Sequence, residues 1–172
     1  DERFRRIRAL WDLLPPADAY VQNWLPEMDT WLPLHWVGSK QTTRYTYRIE
    51  LRSSREDRKK AMRASARNML RKAERAGVRT RLATHAERTR RLFCLVEATF
   101  ARQGLKVPYG HNLLDRIVSI RTPSIETRLY EATLDGRAVA MTLIVAAGGV
   151  SYNLVPGSDR IGRETGAGQA LL

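Results

Sequence analysis

Residues 127–155 constrain the fold most tightly. "TRLYEATL" (127–134) meets "RAVAMTLIVA" (137–146) across Asp135-Gly136, and that run meets "VSYNLV" (150–155) across Gly148-Gly149. Asp-Gly between two strand-like runs is a type I′ hairpin signal, because both turn residues need positive φ and a twist that suits antiparallel partners. The three runs therefore predict an antiparallel meander. Residues 138–146 are apolar on both alternating faces. The middle strand is thus expected at the centre of the sheet, covered by helices on both sides.

The segments upstream supply those helices. "RYTYRIEL" (44–51) alternates, with Tyr45, Tyr47, Ile49 and Leu51 on one face, and is expected as a strand. Ser53 with Glu56 makes a capping box opening a helix to about Ala76, with Met62, Ala66, Met69, Leu70 and Ala73 inward and Gly77 as its stop. "VRTRL" (78–82) reads as a short strand. Thr84 with Glu87 makes a second capping box. The following helix buries Leu92, Leu95, Val96, Thr99 and Phe100 and stops at Gly104. A third helix is expected near 112–121, with Leu113, Leu114, Ile117 and Val118 inward. Residues 1–38 differ: they carry all four Trp (Trp11, Trp24, Trp31, Trp36) and four of the seven Pro. Arg3 to Leu14 is expected as a short helix halted by Pro15-Pro16, and "PEMDTWLPLHW" (26–36) as extended loop. The order predicts a mixed α/β, α+β layered domain over 39–172, preceded by a Trp/Pro-rich extension, 1–38.

The longest apolar run, 138–147, is far too short to span a bilayer, so no stable membrane insertion is expected. One cysteine cannot form an internal disulfide, and a reducing cytoplasm is the natural reading. Cys94 sits in "LFCLV" and reads as a small buried hydrophobe. His35, His85 and His111 share no metal spacing, and neither CxxC nor HExxH occurs, so no metal is expected. The chain lacks an initiator Met, and a helix beginning near Gly166 would have only about two turns before Leu172; it reads as a fragment of something longer or as having a partner that completes it, and a homodimer is among the expected states.

Residues 52–91 hold fifteen Lys or Arg against four Asp or Glu, nearly all of the net charge of +12. Such a field attracts nucleic acid, phosphorylated cofactors or acidic lipid surfaces. Arg63, Arg67, Arg71 and Arg75 follow at i, i+4 steps, a ridge along one helix side that is either solvated or seats an anion such as RNA.

"GRETGAGQALL" (162–172) places Arg163, Gly166 and Gly168 in an R-x-x-G-x-G spacing ahead of an apolar run. Unpaired amides at a helix start bind phosphate, and glycines let the backbone approach it without Cβ collisions. Arg160 and Arg163 add forked donors. The alternative is an ordinary flexible loop.

A meander, then R-x-x-G-x-G, then a helix resembles the acyl-CoA-binding core of the GNAT superfamily of N-acyltransferases. "WVGSKQTTRYTYRIEL", "RNMLRKAERAGV", "EATFARQGLKVPY", "RLYEATLDGRAVAMTLIV" and "SYNLVPGSDRIGRETGAGQALL" are similar to successive blocks of the Fem-like branch, related to enzymes that add amino acids to peptidoglycan bridges. The resemblance spans about residues 30–172. It implies a GNAT-like, mostly antiparallel central sheet with helices on both faces. That family continues with more helix, another strand and an Asp- and Gly-containing block, so the domain reads as incomplete at its C-terminus. The resemblance further implies that backbone groups of Tyr152, Asn153, Leu154 and Val155 hold a pantetheine arm. It gives the diphosphate to Arg163, Glu164, Thr165, Gly166, Ala167 and Gly168.

The expected activity is transfer of an acyl group from acetyl-CoA or another acyl-CoA to a small-molecule or peptide amine. Direct transfer needs a neutral amine and a positioned thioester, not a protein nucleophile. Glu131 and Asp159 are the candidate bases; the alternatives are an exposed strand residue and a turn former. Two other readings stay open. One keeps the fold with an aminoacyl-tRNA donor of the Fem type contacting Arg63, Arg67 and Arg71. The other is a basic nucleic-acid-binding module without catalysis.

Overall fold

The computed structural model describes residues 2–24, 31–43 and 45–171. The chain divides into two compact units, Asp1–Arg52 and Ser53–Leu172.

In the first unit, α1 (Glu2–Asp12) carries Arg6–Glu2 and Arg8–Asp12 ion pairs on its exposed side and buries Ile7. Phe4 meets Trp36 edge-on at 6.1 Å. Part of the expected loop is helical: α2 (Leu32–His35) places Pro33 in its first turn, where a missing N–H costs nothing. Residues 26–30 of that stretch lie outside the described residues. The strand expected over 44–51 does not form. Residues 45–50 are not in strand conformation, and Tyr45 and Tyr47 are 93% and 88% exposed. An alternating pattern makes a strand only where another strand takes its backbone hydrogen bonds; Arg44 itself lies outside the described residues.

The second unit opens with two helices rather than one, α3 (Arg55–Ala61) and α4 (Ala64–Arg75). The cap is Ser54, whose Oγ accepts the Asp57 N–H at 3.1 Å, not Ser53. Met62 and Arg63 are extended, at ψ 147° and 151°. The Arg67 guanidinium folds back to donate to the carbonyls of Met62 and of Lys60 (2.9 Å), which α3 leaves unpaired at its end. The ridge is therefore interrupted: Arg63 caps α4, and only Arg67, Arg71 and Arg75 lie on it.

Strand β1 (Arg79–Leu82) leads to α5 (Arg88–Ala101) and α6 (His111–Val118). The meander follows as β2 (Ile125–Leu134), β3 (Arg137–Ala147) and β4 (Val150–Ser158). The sheet runs β1-β2-β3-β4, antiparallel throughout, with β3 inside as its double-sided apolar pattern required. Asp135 and Gly136 take φ +49° and +78°, the type I′ geometry. Helix α5 buries Thr89, Leu92, Leu95 and Val96, but the Thr84–Glu87 box is not made; Glu87 caps it without a side-chain bond. Cys94 is exposed, because it falls off the 92/95/96/99 stripe. In α6, Leu114 is fully buried whereas Leu113 is 40% exposed.

Two cores flank the sheet. Leu92, Leu95 and Val96 of α5 and Leu114 of α6 pack with Leu129, Met141 and Leu143 on one face. Ala132, Val139 and Ala140 pack on the other with Ala167, Ile161 and Leu171 from the segment after β4. Two bulges adjust the register. Ala132 pairs with Ala140 and Thr133 with Ala138, so Val139 is an extra residue in β3 and joins Ala140 on the second face. Leu143 pairs with Val155 and Ile144 with Asn153, so Leu154 is an extra residue in β4.

Candidate active site

The segment expected as a loop after β4 is helical. Pro156, Gly157 and Ser158 extend β4, and α7 (Arg160–Thr165) starts at once. Asp159 caps it: Oδ1 accepts the Gly162 N–H at 2.8 Å, and Oδ2 takes Arg137 Nη2 at 2.7 Å. Its backbone N–H donates to the carbonyl of Val139, the bulge residue, at 3.1 Å. An Asp ahead of a helix-length run is the signal that would have found this cap. Asp159→Ala should cost about 1 kcal/mol, read as a lower urea midpoint with an unchanged slope.

Gly166 ends α7 at φ +78° and starts α8 (Ala167–Ala170). Its N–H is bonded to the carbonyl of Arg163. A Cβ on Gly166 would lie 2.4 Å from the Met69 carbonyl oxygen of α4, so this glycine serves a helix contact. Gly168 differs: it is exposed, with open space where a side chain would go. Ala167 is buried in the second core. Arg163 donates to the Ser158 carbonyl at 3.2 Å, Arg160 pairs with Glu164 at 3.0 Å, and the Thr165 hydroxyl donates to the Ile161 carbonyl at 2.7 Å.

Beside this turn, β4 is the sheet's edge, with no strand on its outer side among the described residues. Tyr152 is half-buried opposite Val145, and Val155 packs against the first core. Leu154 bulges, 49% exposed, and Asn153 accepts from the Thr142 hydroxyl across the ladder.

The two carboxylates named as bases are both engaged. Glu131 is buried, its side chain 3% exposed, not an exposed strand residue. Oε1 accepts from Arg81 Nε at 2.6 Å and Oε2 lies 3.3 Å from His85 Nε2. Arg81 faces Glu131 across the β1–β2 ladder, and His85 reaches it from the turn before α5. No sequence spacing links positions 81, 85 and 131; only strand pairing joins them.

A second polar cluster ties α5 to α6. The Thr89 hydroxyl donates to Asp115 Oδ1, His111 Nδ1 lies 3.1 Å from Asp115 Oδ2, and His111 Nε2 is buried with no hydrogen-bond partner among the described residues. Nearby, burial raises the Tyr109 phenol above its ordinary pKa. On the other side, Arg63 and Arg71 are exposed, and the Arg71 carbonyl accepts from Arg75 Nε at 3.4 Å.

Among the described residues, no group of three or more His, Cys, Asp or Glu could hold a metal ion, and no helix is long and apolar enough to cross a membrane. No curated protein matches the chain. The family described as acetyltransferase (GNAT) domain matches residues 60–172, about two thirds of the sequence. A strand, two helices, a three-stranded meander with a bulged last strand and a glycine-bearing helical turn all fall inside that span: the chain belongs to the GNAT acetyltransferase-domain family.

Proposed function

We propose that residues 53–172 bind an acyl-CoA along β4 and the α7–α8 turn and transfer its acyl group to an amine, as the resemblance to the GNAT superfamily implies. The observation that carries this is the open, exposed face of Gly168 on the helical turn that follows the bulged edge strand. An edge strand leaves alternate backbone donors and acceptors free, which suits the amide-rich pantetheine arm. Tyr152, Asn153, Leu154 and Val155 would supply them. The Arg163–Gly168 turn would meet the diphosphate, with Ala167 and Gly168 giving amides and Arg163 and Arg160 giving charge. The bound donor supplies a thioester whose C–S bond breaks as the amine's C–N bond forms. The protein's own share is positioning and the exclusion of water. Glu131 and Asp159 do not fit the base: each has both carboxylate oxygens engaged.

Acetyl-CoA at about a hundred times its dissociation constant should stabilise the full chain by about 2.7 kcal/mol, read as a higher Tm. Gly168→Val should fold normally and bind at least about ten-fold more weakly. An unchanged Tm with acetyl-CoA, together with salt-sensitive RNA binding that Arg71→Glu weakens, would favour an aminoacyl-tRNA donor. The exposed Arg63 and Arg71 support that second reading.

A further inference from the structure

Glu131 poses a question that neither the fold nor acyl transfer answers. It stands on the α5 face of the sheet, flanked along β2 by Leu129 and across the ladder by Met141, both core residues. An apolar side chain would suit that place better than an ion pair, because a buried carboxylate loses its hydration and recovers it only from well-placed donors. The donors here are themselves largely in water: the Arg81 and His85 side chains are 64% and 42% exposed. With cations so exposed, the ion pair gains little over a packed apolar side chain at the same place. What the arrangement does supply is orientation. One buried carboxylate fixes a guanidinium through Nε and an imidazole through Nε2. Among the described residues, nothing hydrogen-bonds Arg81 Nη1 or Nη2, or His85 Nδ1. Arg88 adjoins them, its Nη1 donating to the carbonyls of His85 at 3.0 Å and Thr84 at 3.2 Å. Two guanidinium charges against one carboxylate leave this corner net positive.

We infer that Arg81 and His85, held by Glu131, form an oxyanion site at the β1 edge that takes a phosphate monoester. The free Nη pair of Arg81 matches two phosphate oxygens in a forked contact. His85 Nδ1 meets a third oxygen, accepting from it where that oxygen is protonated and donating where the ring carries the extra proton. Three contact points suit a tetrahedral oxyanion better than a planar carboxylate. The site is independent of the donor-binding reading above.

Inorganic phosphate titrated into the full chain, followed by NMR of the Arg81 side-chain and His85 ring signals, tests this. The expected result is saturable shifts at both residues, with acetate binding more weakly. Arg81→Lys, which keeps the charge but loses the fork, should weaken phosphate binding about ten-fold. His85→Gln should weaken it less, and Arg102→Lys, at an exposed arginine with no role in either site, not at all. Glu131→Gln should weaken it by releasing both donors; should that variant fail to fold, the exposed Arg81→Lys and His85→Gln substitutions still decide. Shifts spread evenly over the α3–α4 arginines and abolished by salt, or undiminished binding in Arg81→Lys, would overturn the proposal.

Discussion

Gly166→Val is expected to remove a large part of the stability of residues 53–172. Position 166 is left-handed at φ +78°, which costs a residue with a Cβ about 1–2 kcal/mol, and a β-branched one at least that. The new Cβ would also come to 2.4 Å from the Met69 carbonyl oxygen, with the Met69 carbonyl carbon at 3.1 Å. These are backbone atoms of a packed helix and cannot rotate aside. Forcing α4 away from α8 adds a further 1–3 kcal/mol or so by analogy with other overpacked sites. Together these approach about 4 kcal/mol, against a typical domain stability of roughly 5–15 kcal/mol. Urea denaturation followed by circular dichroism should show a midpoint far below wild type, and Gly168→Val, placed in open space, should not. A wild-type midpoint for Gly166→Val would mean that α4 does not seat against this turn. The contrast matters for function: two glycines of one R-x-x-G-x-G spacing do different jobs, and only the second is free to face a ligand.

That division was not legible in the sequence, because a glycine required by a neighbouring helix and one left open to solvent look alike in one dimension. The meander was legible, since Asp135-Gly136, Gly148-Gly149 and the double-sided apolar run of β3 each dictate local geometry without outside help. The α5 stripe was legible for the same reason. Readings failed where the deciding partner is distant. Tyr45, Tyr47, Ile49 and Leu51 alternate as a strand should, yet alternation cannot supply a second strand. Arg63 and Arg67 are spaced as a continuous helix would space them, but the Arg67 fork takes the carbonyls ending α3 and the chain turns between. Glu131 reads as an exposed strand residue because a carboxylate is almost never buried unless a partner is at hand. Its burial comes from Arg81 and His85, 50 and 46 residues away. Bulges hide similarly: nothing in "RAVAMT" marks Val139 as the extra residue.

Val139 carries the second large expectation. Its carbonyl accepts the Asp159 N–H at 3.1 Å, and a Cβ at Gly162 would sit 2.2 Å from that same oxygen. Gly162 has an ordinary φ, so Gly162→Ala would be harmless, even favourable, in an isolated helix. Here it must push α7 off the bulge of the central strand, and the methyl has no rotamer to escape into. The expected loss is about 3 kcal/mol, at the upper end for overpacking because the methyl is fixed to the helix and the carbonyl it meets is backbone. It should exceed that of Asp159→Ala, which removes a cap from the same helix and a largely exposed Arg137 ion pair. Should the reverse order emerge from paired urea titrations, α7 would be held by its cap rather than by its contact with β3. Because α7 carries Arg160 and Arg163 and leads directly into Gly166–Gly168, a displaced α7 also moves every group proposed to meet the donor's diphosphate. Any folded Gly162→Ala protein should therefore bind acetyl-CoA more weakly although position 162 is buried against β3. Gly168→Val, by contrast, should weaken binding with no loss of stability. Measuring both quantities for both variants separates the part of this glycine-rich turn that builds the fold from the part that serves the donor.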